Sequence, residues 1–146
     1  MPRVLLVNPP SPEQLGSPLL GQQYVAAAFL EAGCEVRVLD IAARFSPRDP
    51  GEIFALVEEF KPDAVGFGLF TRWVWHAYQL AIRLRGRAPL LFAGGAHVTV
   101  RPFEALAHGF DMVVIGEAEL AAPRIAAYLE GHGEAESIPG DRKSVV

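Results

Sequence analysis

Five short apolar runs alternate along this chain with segments patterned for helices, and that alternation restricts the available folds more than any other feature. The runs are "RVLLVN" (3–8), "EVRVLD" (35–40), "DAVGFGLF" (63–70), "PLLFAGG" (89–95) and "FDMVVIGE" (110–117). The first is continuously apolar, as a strand covered on both faces must be. Residues 19–32 read as a helix with a small face, "VAAA", ended by Gly33. In the next helix Asp49 can cap, Pro50 suits the first position and Glu52 sits three residues after the cap. Ile53, Leu56, Val57 and Phe60 then share one face, and Lys61-Pro62 stops the helix. Residues 72–86 form a further helix with Ala77, Leu80, Ala81 and Leu84 inward, and "RPFEALAHG" (101–109) a short one. The last helix begins near Glu119 and ends around Gly131, with Pro123 tolerable only in its first turn. Beyond it the chain has no periodicity. Residues 1–131 therefore read as one domain and 132–146 as a linker-like tail.

Strict alternation with right-handed crossovers implies an α/β, flavodoxin-like (Rossmann-like) three-layer sandwich: a five-stranded parallel sheet in the order 2-1-3-4-5. Ligands of such sheets bind at the carboxyl ends of the strands, beside the switch point between strands one and three. The segments that count are then 8–21, 40–49, 68–73, 94–102 and 116–119.

Composition narrows the partners. With 146 residues and a net charge of −4, the chain suits one core and offers no basic footprint for nucleic acid. No apolar run is long enough to span a bilayer, and no signal-peptide pattern opens the sequence, so it reads as cytoplasmic. The single cysteine, Cys34, excludes an internal disulfide and reads as a half-buried structural thiol.

The loops exclude familiar phosphate chemistry. Neither G-x-G-x-x-G nor G-x-x-x-x-G-K-[ST] follows the first strand, and Pro9, Pro10 and Pro12 lack the backbone N–H groups of a phosphate cradle. The third strand ends in Gly66-Phe67-Gly68, where a phospho-receiver would need a carboxylate. What the strand ends do offer is glycine (Gly66, Gly68, Gly94, Gly95, Gly116) and bulky aromatics (Phe67, Phe70, Trp73, Trp75). Glycine at a strand end lets a ligand approach the backbone, and several on adjacent strands suggest a broad, flat one. A small nucleotide-binding enzyme or regulatory domain with its ligand in the same crevice is the alternative.

The segments "VLLVNPP", "PLLGQQYVAAAFLEAGCEVRVLD", "KPDAVGFGLFT", "AGGAHVTVRPFEAL" and "DMVVIGEAE" together resemble the cobalamin-binding domain at the N-terminus of cobalamin-dependent radical S-adenosylmethionine enzymes. They keep that family's order and spacing from residue 4 to about 120. Related domains carry D-x-H-x-x-G after the first strand to place a histidine on cobalt. Here Asn8-Pro9-Pro10-Ser11-Pro12-Glu13 occupies the region, which implies cobalamin bound without a histidine ligand and without its own dimethylbenzimidazole on the metal. In that setting the prolines, Pro10 among them, border the ring by shape, and Asn8 is the polar contact. The S-x-L element of related domains appears as Gly68-Leu69-Phe70, with Thr71 as the substitute hydroxyl. Gly94-Gly95 keeps the family's glycine pair, and His97 and Thr99 match its downstream histidine and threonine.

The resemblance also assigns candidates at the mouth. Trp73 is the candidate lid over the ring, with Arg72 as a competing donor to a corrin amide or phosphate. His97 touches the corrin or its nucleotide tail, or only hydrogen-bonds a loop. Gly116 and Glu117 border the ligand, with helix N-terminal capping as the other reading of Glu117 and Glu119. One cysteine cannot hold an iron–sulfur cluster, so no cluster is expected in this chain. The implied role is a cobalamin-binding module without catalytic residues, presenting a corrinoid to a radical S-adenosylmethionine methyltransferase-type partner or missing domain. The chain would be a stand-alone carrier, one subunit of a split enzyme, or a truncated product.

Overall fold

The computed structural model describes residues 1–10, 20–41, 51–132 and 144–145. The elements are β1 (Arg3–Asn8), α1 (Leu20–Glu31), β2 (Glu35–Asp40), α2 (Gly51–Phe60), β3 (Ala64–Gly68), a 3-10 turn (Thr71–Trp73) and α3 (Val74–Leu84). β4 (Leu90–Gly94), α4 (Ala96–Val100), α5 (Pro102–Ala107), β5 (Met112–Val113), α6 (Ala118–Leu129) and β6 (Ser144–Val145) follow. All strand pairs are parallel, in the order β2-β1-β3-β4-β5-β6. The five expected strands thus stand in the expected flavodoxin-like order. β6, drawn from the segment read as a tail, adds a sixth beside β5.

Period-two alternation divides the core into two layers. Leu5, Val7, Val65, Phe67, Leu91, Ala93 and Val113 face α2 and α3, where Ile53, Val57, Phe60, Tyr78, Leu80 and Leu84 meet them. Val4, Leu6, Ala64, Leu90, Phe92, Met112 and Val114 face α1 and α6. That second layer is closed largely by Ala26, Ala121, Ala122 and Ala126, whose small side chains let both helices lie close to the sheet.

Several local expectations change. The helix expected over 72–86 begins as the 3-10 turn and becomes α-helical only at Val74. α4 was not anticipated, because "AHVTV" carries three β-branched residues and reads as strand. Gly95 (φ 103°) turns the chain out of β4 and starts this short helix, and Pro102 separates it from α5. Pro123 lies inside α6, beyond the first turn. Its missing N–H removes one ladder bond, to the Glu119 carbonyl close to the helix start. The expected Asp49–Pro50 cap lies outside the described residues.

Candidate functional site

A cleft of about 280 Å³ opens at the carboxyl ends of the strands, between the sheet and the N-terminal halves of α1 and α6. Its floor is Leu6, Gly66, Phe92 and Val114, the next residues of the α1/α6 layer, and Gly21, Gln22 and Val25 line it from α1. Gly68, Phe70, Gly94, Gly95, Gly116, Glu117, Ala118 and Glu119 form its rim. Alternation along β1 puts Asn8 on the same face as Leu6. Asn8 is fully buried: its Nδ2 donates to Asp40 Oδ1 at 2.7 Å, while its Oδ1 has no partner among the described residues.

The glycines of this edge do different work. A Cβ added at Gly68 or Gly116 would meet nothing within 4 Å, so both border open space. A Cβ on Gly66 would lie 2.2 Å from Phe92 Cζ. Gly66 and Phe92 are register partners on β3 and β4, and the phenyl ring lies across the glycine. Gly66 therefore makes room for Phe92, contrary to the expectation that it makes room for a ligand. Gly95 is held against the backbone of Leu69, whose oxygen would be 2.9 Å from an added Cβ.

The expected site residues fall into two groups. Gly68, Gly94, Gly95, Gly116 and Glu117 line the cleft. Thr71, His97 and Thr99 are engaged with other parts of the protein. Thr99 Oγ1 donates to the Gly95 carbonyl (3.2 Å) and accepts from the Gly116 N–H (3.1 Å), tying α4 to the β5–α6 turn. His97, only 3% exposed, sits in a polar network with Thr71, Tyr78 and Glu104. Pro10 is half-buried after β1, and Arg72 is exposed on the 3-10 turn. Trp73, the candidate lid, packs beside Phe70 with 5.4 Å between ring centroids, and it is Phe70 that reaches the cleft. The Trp73 Nε1 is buried without a partner among the described residues.

Donor accounting fixes the polarity of the His97 network. Tyr78 donates its hydroxyl proton to Glu104 Oε1 (3.2 Å), and that oxygen also receives His97 Nε2 (3.1 Å). A carboxylate only accepts, so His97 carries its proton on Nε2. Nδ1 is hydrogen-bonded to the Thr71 hydroxyl at 2.9 Å. Arg101 completes the set through Glu104 Oε2 at 2.9 Å. Burial, with the charge and hydrogen bond of Glu104, pushes the Tyr78 phenol well up, so it stays a donor.

Burial alone would raise the Glu104 carboxyl. The hydrogen bonds from Arg101, His97 and Tyr78 outweigh it and hold the group below its ordinary value. A depressed folded-state pKa gives stability that is present above the unfolded value and lost as pH falls through the folded one. Urea unfolding is therefore expected to show wild-type stability declining below the ordinary carboxylate value of about 4.3. Glu104→Gln is expected to start less stable at neutral pH and to give a flatter profile across that window. An unchanged slope would show that Glu104 does not carry this linkage.

Residues 16–126 match the B12 binding domain family. The chain belongs to that family. It is 30% identical to the anaerobic magnesium-protoporphyrin IX monomethyl ester cyclase of Synechocystis sp., over 94% of this chain and 30% of the cyclase. It is 28% identical to the hopanoid C-3 methylase of Methylococcus capsulatus, over 83% of this chain and 24% of the methylase. The chain thus spans under a third of either curated relative. Its fold superposes on the radical S-adenosylmethionine methyltransferase TsrM from Kitasatospora setae, solved with cobalamin and an iron–sulfur cluster bound. That match has a TM-score of 0.80 at 22% identity, over 96% of this chain and 27% of TsrM.

Sequence reasoning about this B12-binding domain missed Gln22 and Val25, whereas Phe70 and the 116–119 segment were among its candidates. The α1 residues carried no local signal, because which helix borders the floor follows from the topology alone.

Proposed function

We propose that this chain binds cobalamin across its glycine edge and presents it to a radical S-adenosylmethionine methyltransferase-type domain or subunit. One observation carries the reading: in a B12-binding family member, the edge at Gly68 and Gly116 is open beside a cleft between sheet and helices. A flat macrocycle suits the edge, and an extended group such as the cofactor's nucleotide tail suits the cleft. The buried Asn8 Oδ1, without a partner among the described residues, can accept a hydrogen bond from a ligand. Corrin side-chain carboxamides supply N–H groups of that kind. When bound, the cobalt would supply methyl-carrying chemistry, while the protein sets access and coordination.

Charge favours this reading over a nucleotide. Among the described residues the cleft lining contains Glu117 and Glu119 and no basic side chain. A free di- or triphosphate would meet these two carboxylates. Cobalamin balances its corrin and phosphate charges with its own metal.

We assign no histidine to cobalt. His97 has both ring nitrogens engaged within the protein, and residues 8–19 contain no histidine. Nor do we assign catalytic residues or an iron–sulfur cluster to this chain. Such a cluster is held by several thiolates, and the only cysteine, Cys34, is buried among the α1/α6 layer.

The test is direct. Protein mixed with hydroxocobalamin is expected to retain a corrin absorbance spectrum after desalting. A colourless eluate sinks the proposal. A thermal shift produced by nucleotides but not by cobalamin would replace it with the nucleotide-binding alternative.

A further inference from the structure

The His97 network lies on the α2/α3 side of the sheet, yet it grips the loop that forms one wall of the cleft on the opposite side. The His97 backbone N–H donates to the Leu69 carbonyl at 3.1 Å. Its side-chain Nδ1 is hydrogen-bonded to the Thr71 hydroxyl at 2.9 Å. Leu69 is further fixed by its own N–H to the Gly94 carbonyl at 2.8 Å. The residue between these anchors is Phe70, extended (φ −117°, ψ 138°), whose ring faces the cleft.

We propose that His97 is a positioning residue, pinning Leu69 and Thr71 on either side of Phe70 and so holding the Phe70 ring as a wall of the cofactor cleft. Tyr78 and Glu104 act one step behind it. By engaging Nε2 they hold the ring so that Nδ1 meets the Thr71 hydroxyl. This departs from the expectation that His97 and Thr71 are themselves contacts for the cofactor. The binding arm of the test below rests on the cobalamin reading, whereas the spectroscopic arm does not.

Trp73 gives an internal probe, since its ring lies beside Phe70 and the only other tryptophan is the exposed Trp75. The experiment uses the Trp75→Phe protein, which leaves Trp73 as the sole emitter. In the apo-protein, Thr71→Val is expected to make Trp73 fluorescence more accessible to acrylamide, with the melting temperature shifted by only a few degrees. His97→Ala is expected to reproduce the change, and Thr71→Ser to restore the parental signal. Hydroxocobalamin titration is expected to show affinity about fivefold weaker for Thr71→Val, the scale of one hydrogen bond. Phe70→Ala should weaken binding as well, and adding Thr71→Val to it should cost nothing further, as for residues acting through one another.

Unchanged Trp73 quenching in Thr71→Val would overturn the clamp. Changed quenching with unchanged affinity would overturn its role in shaping the cleft, as would full additivity with Phe70→Ala. If the parental protein binds no cobalamin, the proposed function fails, and the apo quenching still decides whether the clamp exists.

Discussion

Gly95→Ala is expected to lower the unfolding free energy by about 3 kcal/mol or more. Two costs coincide there. Gly95 has φ 103°, a conformation that strains a residue with a side chain by about 1–3 kcal/mol. The new Cβ would also stand 2.9 Å from Leu69 O and 3.1 Å from Leu69 N. Those are backbone atoms, fixed by hydrogen bonds from His97 to the oxygen and from the nitrogen to the Gly94 carbonyl. They cannot rotate away as a side-chain tip would, and overpacking of this kind adds about 1–3 kcal/mol. Urea unfolding should show a lower midpoint with an unchanged slope. A loss below about 1 kcal/mol would mean that the Leu69 segment yields, and that Gly95 does not lock β4 to the cleft loop.

The same glycine shows what a sequence can and cannot disclose. The five main strands were legible because a parallel strand covered on both faces must be apolar throughout, as Val4–Val7 is. Their order followed from alternation and crossover handedness. α4 was not legible, because its residues favour strand and only the turn at Gly95 sends them into a helix. β6 was not legible either. Two residues at a sheet edge are joined to Met112 and Val113 by backbone pairing, which leaves no periodic trace.

The site was legible in outline and misleading in detail. The glycines marked the right edge, but not which of them face a ligand. Gly66 and Gly68 look alike in "GFG" and differ only because register sets Phe92 across from Gly66. His97 likewise looks like a contact residue in "GGAHVT". The turn at Gly95 sends its ring toward Tyr78 and Glu104, partners seven or more residues away whose proximity no local pattern encodes.

Gly68→Val is expected to give the opposite result to Gly95→Ala: intact stability and lost binding. Gly68 closes β3 opposite Gly94, and its added Cβ would meet no atom within 4 Å. Valine favours strands, so the melting temperature is expected to hold or rise slightly. Both branches of the side chain would project from the open edge on which the proposed flat ring would lie. A rigid macrocycle cannot bend around them, and repulsion built against one ligand is an effective way to discriminate. Hydroxocobalamin affinity is expected to fall by about a hundredfold or more, equivalent to about 2.7 kcal/mol. The measurement is an absorbance titration run beside a melting curve, so that a folding defect and a binding defect separate. Gly68→Ala should give an intermediate loss, because one methyl group stands less far above the edge. If Gly68→Val folds and binds like the parental protein, the ring does not lie on this edge. Gly66, already filled by Phe92, could not take the place of Gly68.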